Sequence, residues 1–230
     1  MSVELIWIIM EHLGVIAFAI SGAIVAIDHE TDIFGVVFLS FITSFGGGII
    51  RDLILNRGIP SFFTRSYTSL IIICFVTSLA VFFFAMIFKK RFIENEKLFD
   101  YINNYVDAVG IGSFTVSGAK IAMDAGHVNA FVPILMGMIA CIGGGMIRDI
   151  LLNEVPFVLK KRIYALATAA GSAIYYVIYT LSPENGAIAM IIGALSTITI
   201  RLLATIFKWN MPKAIRFSEF RSENGDENKK

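Results

Sequence analysis

Long apolar stretches separated by short polar segments dominate the chain. A transmembrane helix needs roughly 20 consecutive apolar residues. Stretches of about that length cover residues 5–27, 33–56, 66–88, 104–123, 130–153, 163–181 and 187–207. The connections between several of them are only a few residues long, which favours antiparallel neighbouring helices. The pattern predicts an all-α membrane protein with seven transmembrane helices.

The composition supports a membrane protein. Of the 230 residues, 57% are hydrophobic and 16% are charged, with a mean hydropathy of +0.76, whereas about a quarter of the residues are charged in soluble domains. We expect a single transmembrane domain over residues 1–208. The tail over 209–230 ends in SENGDENKK, so we expect it to be cytoplasmic and partly disordered.

The two halves of the chain share one sequence pattern. The segment GGGIIRDLILN at 46–56 recurs 97 positions later as GGGMIRDILLN at 143–153. These further pairs match 96 positions apart: Glu11 and Asp107, Ser21 and Ser117, Gly22 and Gly118, Ala23 and Ala119. Each copy holds three predicted helices, over about 5–88 and 104–182, and a seventh helix covers about 186–208. Because three is odd, the second copy enters the bilayer from the opposite face, which predicts a 3+3 inverted repeat plus one helix.

A glycine triplet lies inside both the second and the fifth predicted helix. The triplets are Gly46, Gly47 and Gly48, and Gly143, Gly144 and Gly145. Glycine costs a helix interior about 1 kcal/mol relative to alanine, so we predict that both helices are broken there. Backbone groups freed at membrane depth need protein or water as partners, which favours a central aqueous path. Close helix packing on the glycines is the alternative.

An arginine and an aspartate follow each triplet, as Arg51 and Asp52 and as Arg148 and Asp149. Ionisable residues at membrane depth are candidates for function, and we interpret these four as pore or gate charges. Adjacent helical residues point about 100° apart, so we expect one member of each pair to face the path while the other pairs elsewhere. Snorkelling of the arginines to the headgroups is the alternative.

Glu11 and Asp107 form a third symmetric pair, each about two turns inside the start of its repeat. Acidic groups at both mouths of a path would concentrate cations, and simple pairing with a nearby arginine explains them equally well. Ser21 and Ser117 are candidate pore hydroxyls, although their SGA segments favour tight helix packing.

Other basic residues break the symmetry of the repeat. Lys120 and Arg201 lie inside predicted helices, where snorkelling explains both and a gating or lipid-binding role is the alternative. The run of Lys160, Lys161 and Arg162 is a candidate patch for anionic lipid headgroups, or merely a topology signal. Most basic residues fall on the side of the C-terminus, which predicts an outside N-terminus and an inside C-terminus.

The doubled GGGxxRD segment in a 3+3+1 membrane protein of this size resembles the bacterial branch of the trimeric intracellular cation (TRIC) channels, also labelled glycine-transporter-like. The resemblance covers about residues 5–207. It implies a homotrimer in the bacterial inner (cytoplasmic) membrane, with one potassium-permeable pore per subunit lined by the second and fifth helices. It also implies that the glycine triplets are kink elements and that Arg51 and Arg148 lie near the conduction path.

Partners other than monovalent cations and membrane lipids are not expected. The sequence has no nucleophile elbow, phosphate loop, metalloprotease helix or cysteine pair, so we expect neither an enzyme nor a cofactor, a bound metal or a nucleic-acid ligand. Two arginines beside a path repel cations unless carboxylates offset them. The alternative function is therefore a secondary transporter of a small zwitterion such as glycine, with an arginine for the carboxylate and an aspartate for the ammonium group. The inverted repeat serves either function.

Overall fold

The computed structural model describes residues 2–64, 67–127, 129–160 and 163–209, and within these ranges the secondary structure is entirely helical. Short 3₁₀ turns occupy Ser61–Phe63 and Pro183–Asn185. The α-helices are α1 (Val3–Asp28), α2 (Ile33–Ile54), α3 (Thr68–Ile87), α4 (Lys89–Glu94), α5 (Glu96–Asp124), α6 (Phe131–Leu151), α7 (Phe157–Lys160), α8 (Ile163–Leu181) and α9 (Gly186–Ile206).

The long helices follow the predicted stretches closely, with α5 as the main difference. By length and apolarity, 6 helical segments of the described part of the chain qualify as membrane spans, and α5 is not among them. This helix begins at Glu96, well before the predicted start at residue 104, because KKRFIENEKLFD at 89–100 is rich in helix-forming Lys, Glu and Leu and folds as α4 and the first turns of α5. The predicted tail lies outside the described residues from position 210 onward.

The asparagine that ends each copy of the repeated segment terminates a helix. Asn56 and Asn153 have positive φ values of 50° and 57° directly after the C-caps of α2 and α6. Asparagine tolerates this left-handed conformation better than most residues. At both ends the next amide bonds back to the aspartate carbonyl, from Arg57 to Asp52 and from Glu154 to Asp149. The repeat therefore encodes the same helix ending twice.

The helices α2 and α6 cross in the centre of the molecule at their glycine triplets. A Cβ atom placed on Gly47 would lie 2.2 Å from the carbonyl oxygen of Ala140, and one placed on Gly144 would lie 2.2 Å from the carbonyl oxygen of Thr43. Because residue numbers rise along α2 as they fall along the facing part of α6, the helices are antiparallel. The two contacts are related by the sequence repeat, as an inverted repeat requires.

The predicted breaks at the glycine triplets are not confirmed. The helix α2 continues through Gly46, Gly47 and Gly48, and α6 continues through Gly143, Gly144 and Gly145. The backbone groups of both triplets therefore stay within a helix and are not released toward a path. These glycines instead allow the two helices to pack closely, which was the alternative interpretation of the triplets.

The helices α1 and α5 also pack through two contacts that are related by the sequence repeat. The ring of Phe114 covers Gly14, the ring of Phe18 covers Gly110, and the two rings lie 5.2 Å apart. In the SGA segments, Gly22 lies against the backbone of Ser40 in α2, and Gly118 lies against the carbonyl oxygen of Met136 in α6. The packing interpretation of these segments agrees with the structure. The packing of α1 against α5, and of each SGA segment on its neighbouring helix, thus uses one set of contacts twice.

Candidate functional site

The charged pair after the first triplet is buried and bonded to itself. Arg51 and Asp52 are only 4% and 1% exposed. The Arg51 Nε and Nη2 atoms lie 2.9 and 2.8 Å from Oδ1 of Asp52. The other carboxylate oxygen, Oδ2, accepts the backbone N–H of Ser61 at 2.8 Å. Asp52 therefore fixes both the arginine and the loop that follows α2.

The second copy repeats this arrangement. The Arg148 Nε and Nη2 atoms lie 3.0 and 2.8 Å from Oδ1 of Asp149, and Oδ2 of Asp149 accepts the backbone N–H of Phe157 at 2.7 Å. One member of each pair was expected to face the path while the other pairs elsewhere. The pairing part of this expectation is wrong, because the long arginine side chain folds back onto the adjacent carboxylate. Snorkelling is excluded too, since both arginines are buried.

Glu11 is a buried carboxylate that accepts a hydrogen bond from a serine hydroxyl, and an indole group donates to that hydroxyl in turn. Ser117 donates a hydrogen bond to Glu11 Oε1, and the Trp7 indole Nε1 donates to Ser117 Oγ at 3.1 Å. Among the described residues, Glu11 has no direct ion pair with an arginine, so simple pairing does not explain it. Its repeat counterpart Asp107 interacts with the hydroxyl of Tyr164.

These residues form two half-sites at opposite ends of the antiparallel α2–α6 crossing. We define the first half-site as Glu11, Arg51, Asp52 and Tyr67, and the second half-site as Asp107, Arg148, Asp149 and Tyr164. Each surrounds a cavity, called here the first and the second cavity. Gly48 lines the first cavity and Gly145 the second. The third glycine of each triplet therefore leaves space beneath an arginine, while the second allows the helices to approach.

The two cavities differ greatly in size, at about 20 Å³ for the first and about 290 Å³ for the second. Phenylalanine rings crowd the first cavity: Phe45, Phe62 and Phe114 line it, and the ring centroids of Phe62 and Phe45 lie 4.6 Å apart. Val158 occupies the position that matches Phe62 in the second copy, and it lines the second cavity. The smaller side chain leaves the second cavity open.

The serines and unsymmetric basic residues take different positions. Ser21 accepts a hydrogen bond from Arg148 Nη1 at 3.4 Å, which links α1 to the second half-site. Lys120 pairs with Asp124 and lies 5.5 Å from the ring centroid of Trp7. Arg201 is 3% exposed, so the snorkelling expected for it is wrong. Lys160 belongs to α7, whereas Lys161 and Arg162 lie outside the described residues.

Sequence reasoning overlooked the tyrosines and the loop amides of both half-sites. Tyr67 and Tyr164 are 97 positions apart, the spacing that relates the two glycine triplets, so extending the repeat past the second helix would have found them. Ser61 and Phe157 contribute backbone N–H groups. A backbone donor leaves no mark on residue type, and only the structure reveals it.

The helical bundle with its inverted, doubled half-site defines a multi-pass membrane protein built from an internal duplication. The family model described as Glycine transporter matches the chain twice, over residues 8–86 and 104–180. The chain belongs to this family, the prokaryotic branch of the TRIC channels.

Relatives of known sequence and structure agree with this placement. The chain is 32% identical to the UPF0126 membrane protein YvgT of Bacillus subtilis, over 90% of this chain and 95% of the relative. It is 38% identical to a TRIC cation channel of solved structure, covering 90% of this chain and 97% of that chain with a TM-score of 0.77. The TRIC orthologue of Rhodobacter sphaeroides is 29% identical over 88% and 98% of the two chains, with a TM-score of 0.77.

Proposed function

We propose that the protein is a passive channel for monovalent cations, permeable to potassium, with a pore through the inverted-repeat core of each subunit. The observation that carries the proposal is the likeness over almost the whole chain to solved TRIC cation channels. Two buried half-sites, each richer in acidic than in basic groups around its arginine-aspartate pair, are consistent with cation entry at either end.

The pore of this proposal joins the two cavities past the α2–α6 crossing. On that route α2 and α6 are in close contact, since a Cβ atom on Gly47 or Gly144 would overlap the facing backbone. Conduction therefore requires α2 and α6 to separate or to slide at the crossing. The lining residues are then Gly48 and Gly145 together with the two arginine-aspartate pairs. A conducting ion passes the charges of these two pairs one after the other.

The setting of this channel is a homotrimer in the bacterial inner membrane. The seven long helices then all cross the bilayer, including α5, whose polar residues Asn103, Asn104 and Asp107 line the second cavity or its wall rather than meeting lipid. The excess of basic residues on the side of the membrane that holds the C-terminus supports an outside N-terminus. In this orientation the first half-site faces outward and the second faces the cytoplasm.

Planar-bilayer recording of purified, reconstituted protein under a potassium chloride gradient tests the proposal. We expect discrete unitary currents that reverse near the potassium potential. The variants Arg51→Ala and Arg148→Ala should change the unitary conductance, because each removes a buried charge from the proposed path. A reversal near the chloride potential, or a silent bilayer with protein of confirmed fold, would contradict it.

A secondary transporter of a small zwitterion is the second candidate, favoured by the description of the family model. An arginine of a half-site would bind the carboxylate and an acidic residue the ammonium group. Saturable glycine uptake into the same proteoliposomes, with no unitary currents, would support the transporter against the channel.

A further inference from the structure

Arg201 in α9 has no counterpart in the first repeat, because α9 follows the two three-helix copies. Its guanidinium lies 5.3 Å from the ring centroid of Phe157 and 5.1 Å from that of Tyr164. Both rings line the second cavity, whereas Arg201 itself does not. Arg201 therefore places a buried positive charge directly behind the aromatic wall of the second cavity.

The guanidinium of Arg201 is only partly satisfied by hydrogen bonds. Its Nη1 atom donates to Thr205 Oγ1 at 2.7 Å, while Nε and Nη2 have no hydrogen-bond partner among the described residues. A buried charge without a direct ion pair, which the described residues do not give Arg201, is expensive, and its retention calls for a compensating interaction. Asp107 provides one at longer range, since the positive charge of Arg201 acts on its carboxylate.

The first half-site keeps an excess of negative charge in its buried shell. Glu11 and Asp52 are both acidic there, and Arg51 is the one buried arginine among the residues that define it. Arg57 also approaches Asp52, at 3.5 Å, but its side chain is 38% exposed. Water screens a charge at such a position strongly. The formal balance of the buried groups is one negative charge.

The second half-site, as defined, also holds one more acidic than basic group, but Arg201 behind its wall offsets that excess. Asp107 and Asp149 are opposed by Arg148 and by Arg201 behind the wall, so the formal charge of these four groups is zero. Asp28 and Glu154 add acidic groups at the exposed rim of the second cavity, where water screens them. Since low-dielectric walls focus the field of buried charges, one additional buried arginine changes the potential inside the cavity more than rim residues do.

We propose that Arg201 is a specificity-determining residue that lowers the attraction of the second cavity for monovalent cations, so that each subunit passes cations more readily from the first end than from the second. This inference rests on the proposed channel function. Its consequence is a rectifying channel whose asymmetry arises from α9, the helix that lies outside the repeat.

Recordings in symmetric potassium chloride test the rectification. At about 50 mM salt we expect Arg201→Gln to raise the current entering at the second end by roughly two- to fivefold. Near 1 M salt the difference should vanish, because the Debye length falls to about 3 Å. Arg201→Lys keeps the charge, and Thr205→Val removes the hydrogen bonds of the Thr205 hydroxyl with Nη1 and with the Arg201 carbonyl oxygen but leaves the charge in place. Both variants should rectify like the unmodified protein. An unchanged rectification ratio for Arg201→Gln at low salt would overturn the proposal.

A second measurement does not depend on conduction. Val158→Cys places a thiol on the wall of the second cavity, and its modification rates with positively and negatively charged methanethiosulfonate reagents of matched size report the local potential. We expect Arg201→Gln to raise the cation-to-anion rate ratio roughly two- to fivefold. Arg201→Met is a second neutral variant that still packs on Phe157 and Tyr164. An unchanged ratio in both refutes the role of Arg201, whereas a raised ratio in a silent protein refutes only the channel.

Discussion

Gly47 lies directly against the backbone of Ala140: a Cβ atom on this glycine would lie 2.2 Å from the Ala140 carbonyl oxygen. Neither the carbonyl nor the helix that carries it can move aside as a flexible side chain would. The residue at position 47 is therefore limited to glycine by the approach of two backbones, with no left-handed or broken conformation involved.

The glycine triplets give a prediction with a built-in control. We expect Gly47→Ala and Gly144→Ala each to lower the free energy of unfolding by about 1–3 kcal/mol, because overpacking against a backbone outweighs the better helix propensity of alanine. In Gly48→Ala and Gly145→Ala the new Cβ would lie 3.7 and 3.8 Å from an arginine Nη2 atom, an ordinary contact. Thermal unfolding in detergent should separate the two classes, and equal melting temperatures would contradict the packing role.

The second prediction concerns the buried ion pair of Arg148 and Asp149. Removing either charge alone leaves the other buried and unpaired, which costs about 3–5 kcal/mol. We expect Arg148→Gln and Asp149→Asn each to be strongly destabilising, and the double variant to be much less so than their sum. A double-mutant cycle on unfolding free energies measures this coupling, and simple additivity would show that the pair is not a unit.

The third prediction concerns Ser117, which joins Trp7 to Glu11. In Ser117→Ala the buried carboxylate loses its hydroxyl donor and the indole loses its acceptor, so we expect a loss of about 1–3 kcal/mol of stability. Ser21→Ala is the matched control, because Ser21 occupies the same repeat position and its hydrogen bond from Arg148 is long, at 3.4 Å. Equal destabilisation of both variants would argue that only helix packing at the SGA segments matters.

The fourth prediction concerns Phe62, whose ring lines the first cavity. Cys74 lies behind it, buried and 3.7 Å from Ser44, and Ser44 lines that cavity. We expect Phe62→Val to make alkylation of Cys74 several-fold faster, because the smaller side chain opens a route for the reagent. Cys141, the residue that matches Ser44 in the second copy, is the internal control and should keep its rate. Peptide mapping by mass spectrometry follows both cysteines in one sample. An unchanged alkylation rate of Cys74 would show that Phe62 does not block access to it.

The helices and the duplication could be predicted from the sequence, because the lengths of the apolar stretches indicate the helices and the matching residues indicate the duplication. The helix α5 was the exception: its first turns are polar, and hydropathy places a helix beginning only where the side chains become apolar. The repeat pairs Glu11 with Asp107 and Arg51 with Arg148 correctly, since each pair occupies matching positions in the two half-sites.

The local geometry of the charges could not be predicted in the same way. Angular separation on a helix suggested that Arg51 and Asp52 point apart, but the length of an arginine side chain overrides that separation. Likewise, a glycine weakens an isolated helix, yet tertiary packing against a facing carbonyl more than offsets the cost at Gly144. The conformation of a buried residue depends on the distances to its neighbours, and one sequence does not contain those distances.

The reciprocal crossing of α2 and α6 has a consequence for how the chain enters the membrane. Each half makes the contacts that the other makes, so the α2–α6 interface forms equally well in either orientation of the protein in the bilayer. Packing at the crossing then gives no preference for one topology during insertion, and the choice falls to the basic residues in the connections and to α9. Moving basic residues from one set of connections to the other should therefore invert the whole protein in the bilayer while its core stays intact.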